Sequence, residues 1–104
     1  MGRYDVYANP EPSERKQVPY LLDVQNDHID HLASRVVIPL RQEADFGPRA
    51  QGLNPMVTVG GHRVVLDTAA LAAVPLAELR KVVDNLAAER AAIQDALDTL
   101  FGAY

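Results

Sequence analysis

The chain has 104 residues, a length that suits one domain around one hydrophobic core. Hydrophobic residues make up 48% of it, which excludes a disordered tail, and the net charge of -4 argues against a general nucleic-acid binder. The absence of cysteine excludes disulfides, thiol catalysis and thiolate metal sites. No signal peptide or membrane-length apolar run is recognisable, so we expect a soluble, cytoplasmic protein without membrane contact.

The first half of the chain predicts three strands separated by polar loops. Residues 4–8 alternate between polar and apolar side chains, and residues 20–25 resume as a second strand after a loop with two prolines. Residues 35–40 form a short β-branched run, which is typical of a strand buried on both faces. Because Pro39 cannot donate to a ladder, we expect this third strand to lie at a sheet edge or to end there.

A β-hairpin is the clearest local pattern, and it follows a long loop over residues 41–55. Two β-branched runs, at residues 56–59 and 62–67, flank the dipeptide Gly60-Gly61. Both glycines can adopt positive φ, as two-residue hairpin turns require. This register pairs Val57 with Val64 and Val59 with His62. Four side chains then share the predicted core face: Val57, Val59, Val64 and Leu66.

The C-terminal stretch carries the strongest helix signal of the chain. Its apolar stripe consists of Leu86, Ile93, Leu97, Leu100 and Phe101. Asn85 can cap the first turn and Gly102 can end the helix. Residues 68–83 fit no period well, and periodicity alone predicts one helix from Leu76 to Phe101. Strands followed by one helix predict a small β-barrel, or a sheet, with the helix packed on it.

The end of this helix is a candidate interaction surface. Asp98 lies in the last turn, where the helix dipole makes a carboxylate mildly unfavourable. Phe101 and Tyr104 are two aromatic side chains at a chain end, which the core of a monomer explains poorly.

No constellation of catalytic or metal-binding residues is convincing. The segment Asp27-His28-Ile29-Asp30-His31 clusters candidate metal ligands, but a site needs further ligands with fixed geometry, so a solvated polar loop is preferred. Asp23 is best interpreted as a structural carboxylate that accepts bonds from the backbone or from Arg35. Gly60-Gly61 lacks the context of a phosphate-binding loop. We therefore expect neither an enzyme nor a bound metal or cofactor.

Two longer strings are more specific than these patterns. Asp23-Val24-Gln25-Asn26-Asp27 and Arg35-Val36-Val37-Ile38-Pro39-Leu40, together with the hairpin, the Val74-Pro75 step and the terminal helix, resemble the CcdB family. These are toxins of plasmid and chromosomal toxin–antitoxin modules, and the resemblance covers essentially the whole chain as a single domain. It implies a mainly β (α+β) fold, an SH3-like small β-barrel with a small accessory sheet. It also implies a strand at residues 78–83 and one long C-terminal helix from about Leu86 to Phe101.

The resemblance also implies a function and partners. Family members are homodimers that bind the GyrA subunit of DNA gyrase and trap the cleaved DNA complex. A CcdA-like antitoxin neutralises them, and the toxin–antitoxin complex represses its own operon with the antitoxin contacting the DNA. The acidic pI near 5.2 agrees with a toxin that leaves DNA binding to its partner.

The gyrase-binding positions of the family fall on a loop and on the C-terminus of this chain. They are His28, Ile29, Asp98, Phe101, Gly102, Ala103 and Tyr104. The best-known family pattern ends Phe-Trp-Gly-Ile, whereas this chain ends Phe-Gly-Ala-Tyr. The tryptophan position falls on Gly102, or on Phe101 if the tail slips by one residue. In addition, His28 replaces an aliphatic residue and Asp98 replaces an amide.

Two alternatives remain open. The ribonuclease toxins of the MazF/Kid type share the barrel, but they need a basic groove and a positioned acid–base pair, which the charge balance disfavours. A non-toxic homologue that keeps only antitoxin binding would fit the altered tail.

Overall fold

The computed structural model describes residues 2–29 and 31–102 as a curled antiparallel sheet with one C-terminal helix. The strands are β1 (Asp5–Ala8), β2 (Tyr20–Asp23), β3 (Ser34–Gln42), β4 (Met56–Val59), β5 (His62–Leu66), β6 (Ala72–Pro75) and β7 (Val82–Asn85). The helix is α1 (Arg90–Phe101), and short 3-10 turns occupy several of the connections.

The sheet follows the order β4-β5-β3-β2-β1-β7, and β6 also pairs with β3. It curls far enough that the backbone N–H of Gly60, in the β4–β5 turn, donates to Asp84 Oδ2 in β7 at 3.0 Å. The predicted class, mainly β with a small barrel-like sheet and a terminal helix, is confirmed. The small accessory sheet that the resemblance implies is not separate from the barrel-like sheet, because β5 pairs directly with β3.

Strand β3 is central, so the expectation that Pro39 marks a sheet edge or a strand end is wrong. Pro39 lies opposite Leu21 of β2, and β3 continues to Gln42. On its other side β3 changes partner, from β6 at Val37 to β5 at Leu40. Pro39 lies at this change, where its carbonyl accepts the Asp67 N–H at 3.0 Å. The missing N–H of proline is tolerated because neither β6 nor β5 pairs with Pro39 on this side of β3.

The β4–β5 hairpin forms as the sequence predicts. Val57 pairs with Val64 and Val59 with His62, while Gly60 and Gly61 have φ of 54° and 83°. The four predicted core residues of the hairpin are buried. They pack with Ile93 of α1 and with Leu86, which precedes the helix, so one face of the sheet and one face of the helix form the main core.

The helix begins later than predicted. A 3-10 turn covers Ala87–Glu89, and the α-helix starts at Arg90. Asn85 does act at this end, since its Oδ1 accepts the Ala87 N–H at 2.9 Å. Gly102 ends the helix in the left-handed conformation at φ 69°, as expected, and its N–H donates to the Asp98 carbonyl.

The segment between the hairpin and the helix differs most from the predictions. The continuous helix from Leu76 is wrong, because Leu76–Glu78 is a single 3-10 turn. The strand expected at residues 78–83 lies instead at Val82–Asn85, where β1 offers a pairing edge. Strand β6 was not predicted, because its residues, Ala72–Pro75, are mostly exposed and do not alternate in polarity.

A second, smaller apolar cluster contains Tyr7, Val18, Leu21, Val37 and Leu79. The Tyr7 hydroxyl is buried and has no hydrogen-bond partner among the described residues. Burial is the main reason that the pKa of Tyr7 rises from 10.0 to about 12. Since unfolded tyrosine ionises near pH 10, the stabilisation from the neutral buried ring is complete below that pH and is lost as pH rises toward 12.

The substitution Tyr7→Phe is therefore expected to flatten the alkaline loss of stability. Between pH 10 and about 12, wild type should lose about 1.4 kcal/mol per pH unit that the variant retains. Near pH 8 the two should differ by less than about 1 kcal/mol, because no hydrogen bond of the hydroxyl is removed. Urea unfolding of both proteins across this range provides the measurement, and parallel pH profiles would contradict the assignment.

Candidate protein-interaction surface

The loop after β2 presents His28 and Ile29 to the solvent. Its 3-10 turn covers Asp27–Ile29, and the Oδ1 atom of Asn26 accepts the His28 N–H at 2.9 Å. The Ile29 carbonyl accepts Gln25 Nε2 at 2.8 Å, while the Ile29 side chain remains 43% exposed. Both predicted loop positions are thus exposed on a backbone that is fixed by local hydrogen bonds.

A buried ion pair lies beneath this loop. Arg35 Nε donates to Asp23 Oδ2 at 2.7 Å and Arg35 Nη2 to Asp23 Oδ1 at 3.0 Å, with both side chains almost fully buried. The Gln25 N–H also donates to Asp23 Oδ1, at 3.0 Å. Arg35 Nη2 further reaches the Gln25 carbonyl at 3.2 Å and Asp27 Oδ1 at 3.3 Å. The interpretation of Asp23 as a structural carboxylate bound to Arg35 is confirmed.

The electrostatics of this pair combine a desolvation cost with a specific attraction. Burial raises the pKa of the Asp23 carboxyl, while the hydrogen bond from Arg35 opposes that rise. The same hydrogen bond raises the pKa of Arg35, whose guanidinium is charged at any pH relevant to a cell. The pair therefore depends on both partners being present, because either charge left alone would be buried without compensation.

The end of α1 provides the second part of the surface. Phe101 is 67% exposed, which is unusual for a phenylalanine in a folded chain. Asp98, one turn earlier, is half-buried and accepts Gln94 Nε2 at 3.0 Å. Gly102 is exposed after the helix, whereas Ala103 and Tyr104 lie outside the described residues.

Arg3 connects the loop to the helix. Its backbone N–H donates to Asp27 Oδ1 at 2.8 Å, and its Nη2 donates to Gln94 Oε1 at 3.0 Å. The predicted loop and the predicted helix position Asp98 are thereby joined through two further residues, Arg3 and Gln94. Sequence reasoning missed both. Gln94 had one signal, its spacing of four residues from Asp98, whereas Arg3 had none because its partners are distant in the chain.

The candidate metal cluster finds no support in the part of the chain that is described. There, no group of three or more His, Cys, Asp or Glu side chains is placed to hold a metal ion. Asp30, one of the candidate ligands, lies outside that part. Across residues 2–29 and 31–102, no helix is both long enough and apolar enough to span a bilayer.

Comparison with known proteins supports one family. The family model described as CcdB protein matches residues 3–102, nearly the whole chain. A search of curated protein sequences finds no significant match.

Proposed function

Because the chain belongs to the CcdB family and is therefore a toxin of the toxin–antitoxin type, we propose that it binds the GyrA subunit of DNA gyrase and traps the cleaved DNA–gyrase complex. The observation that carries this proposal is the exposed side chain of Phe101 at the end of α1. Contacts of Gln94 and Arg3 connect this helix to the loop that contains His28 and Ile29. This arrangement combines an aromatic anchor with a pre-organised rim, as protein-binding hot spots do.

We propose that Phe101 is the aromatic anchor, either in the tryptophan position of the best-known family pattern, if the tail slips by one residue, or directly before that position, if it falls on Gly102. A phenylalanine offers a flat apolar ring without the indole N–H, so it can fill a pocket but cannot donate a hydrogen bond there. Gly102 ends α1 in a left-handed conformation. The proposed gyrase-binding residues also include Asp98, Ala103 and Tyr104. Such a poison needs no catalytic residues of its own, because gyrase itself cleaves the DNA.

The other partners follow from the same family assignment. We propose a homodimer, which is supported by exposed apolar side chains outside the gyrase-binding surface, such as Leu32. A CcdA-like antitoxin would neutralise the toxin and contact the operator DNA in the autoregulatory complex. The net charge of -4 supports this division of roles, because an acidic toxin is repelled by phosphates. Since gyrase acts on the bacterial chromosome and on plasmids, the site of action would be the cytoplasm.

One cavity in the structure bears on the ribonuclease alternative. An open cavity of about 550 Å³ is lined by Ala8, Pro10, Arg15, Glu78, Arg80 and Lys81. Its three cations could attract a phosphate backbone, but among the described residues that line the cavity Glu78 is the one carboxylic acid, and there is no histidine. General acid–base cleavage needs a second positioned proton donor or acceptor. Gyrase poisoning therefore remains the better supported function.

Induced expression in a host without the antitoxin tests the proposal against both alternatives. We expect growth arrest, linearised plasmid DNA after protease treatment of the lysate, and intact bulk RNA. Arrest with degraded RNA would identify a ribonuclease toxin. Normal growth with folded protein present would identify a homologue that retains only antitoxin binding.

A further inference from the structure

Arg3 belongs to a turn with an unusual backbone conformation. The turn runs from Gly2 to Asp5 and is closed by the Asp5 N–H donating to the Gly2 carbonyl at 3.1 Å. Tyr4, its third residue, has φ of 74°, a left-handed value that glycine or asparagine normally supplies at this position. Such strain persists only where the surroundings impose it.

Two backbone bonds hold this turn in place. The Tyr4 N–H donates to the Asp23 carbonyl at 2.7 Å, and the Tyr4 carbonyl accepts the Leu86 N–H at 2.8 Å. The turn is therefore fixed at once to the end of β2, where the loop begins, and to the residue that precedes the helical segment. Arg3 is held between the two parts of the candidate surface.

The side chain of Arg3 is ordered by two contacts. Its guanidinium carbon lies 5.0 Å from the centroid of the Tyr4 ring, a cation–π distance. Its Nη2 donates to Gln94 Oε1, and the amide of Gln94 then donates from Nε2 to Asp98 Oδ1. This relay has a fixed direction, because a guanidinium can only donate and a carboxylate can only accept, so the Gln94 amide accepts with Oε1 and donates with Nε2.

The relay also offsets negative charge at the surface. Asp98 lies near the C-terminal end of α1, where the helix dipole is negative, and Asp27 adds a second carboxylate on the loop. The Arg3 backbone N–H donates a hydrogen bond to the Asp27 carboxylate. The Arg3 guanidinium places a positive charge next to Gln94, which contacts Asp98.

We propose that Arg3 is a positioning residue, which holds the loop Asp27–Ile29 and the helix position Asp98 in one fixed arrangement for a single protein partner. The identity of that partner as the gyrase A subunit rests on the proposed function, whereas the positioning role is a property of the free protein. Arg3 itself makes its contacts within the chain and acts through Asp27 and Gln94.

Amide hydrogen exchange of the free, full-length protein tests the positioning role directly. Arg3→Ala keeps the backbone N–H that donates to Asp27 but removes the guanidinium that donates to Gln94. Without this contact with the helix, exchange at the amide of residue 3 should accelerate about five- to tenfold, the size expected for losing one charge-assisted hydrogen bond. Arg3→Lys should restore most of the protection, because an ammonium group can still donate to Gln94. Arg63→Ala is the matched control: it removes the same charge from an exposed strand position whose side chain contacts Met56. Equal exchange rates in Arg3→Ala and Arg63→Ala would overturn the proposal.

Binding to an isolated fragment of the gyrase A subunit separates the two parts of the relay. Gln94→Glu keeps a partner for Arg3 but cannot donate to Asp98, so protection of the Arg3 amide should stay while affinity falls about tenfold. Affinity unchanged in both Arg3→Ala and Gln94→Glu would refute the link between the relay and partner binding. If wild type itself does not bind the fragment while the exchange results hold, the proposed function fails and the positioning role stands.

Discussion

Replacing Arg35 with leucine is expected to lower the free energy of unfolding by about 3–5 kcal/mol. The substitution leaves the Asp23 carboxylate fully buried without its two guanidinium donors. Among the described residues, the donor that remains to Asp23 is the Gln25 N–H, at 3.0 Å, which cannot compensate a buried charge. The loss should exceed that of most single substitutions in a chain of this size.

Urea unfolding measures this effect, and the chain offers a matched control. Arg41 pairs with Asp67 at 2.7 Å, but the two side chains are 33% and 19% exposed, so Arg41→Leu should cost no more than about 1 kcal/mol. The double variant Asp23→Leu/Arg35→Leu should recover much of the loss, because it removes both buried charges. Equal losses for Arg35→Leu and Arg41→Leu would contradict the large stability cost expected for an unpaired buried Asp23.

Removing the ring of Phe101 should weaken binding to the gyrase A subunit about 30- to 1000-fold, equivalent to about 2–4 kcal/mol for an aromatic hot spot. The ring is 67% exposed in the free chain, so Phe101→Ala should change the free energy of unfolding by less than about 0.5 kcal/mol. A large loss of affinity with little loss of stability distinguishes an interface residue from a core residue.

Titration calorimetry with a purified fragment of the gyrase A subunit provides the measurement for Phe101. Val82→Ala serves as the control, because Val82 is also apolar and 49% exposed but lies on β7, outside the proposed surface. If both substitutions reduce affinity equally, exposed apolar area in general drives binding. If neither does, Phe101 is not the anchor.

Local chemistry explains what the sequence predicted correctly. Two adjacent glycines between β-branched runs determine a hairpin and its register, because few other residues adopt both required conformations. The assignment of Asp23 to Arg35 succeeded for a similar reason, since a carboxylate in an apolar strand needs a nearby cation. Gly102 ended the helix where an achiral residue allows the left-handed conformation.

Tertiary contacts explain the errors. The sequence around Pro39 could not show that β3 changes partner at that residue, which makes the missing donor harmless. The residues before α1 have helical propensity, but Val82–Asn85 pair with β1 and therefore form a strand of the sheet. Arg3 could not be recognised at all, because its role depends on Asp27 and Gln94, which only the fold brings near it.

The proposed gyrase poisoning depends on Phe101, at the end of α1, and on the residues that follow it. A cleavage assay tests this with purified gyrase, supercoiled plasmid and either the full chain or a chain that lacks residues 101–104. We expect the full chain to accumulate linear, protein-linked DNA and the shortened chain to accumulate none, with equal unfolding stability of the two proteins. No cleaved DNA with the full chain would refute gyrase poisoning, and equal amounts with both chains would refute the role of the C-terminal residues.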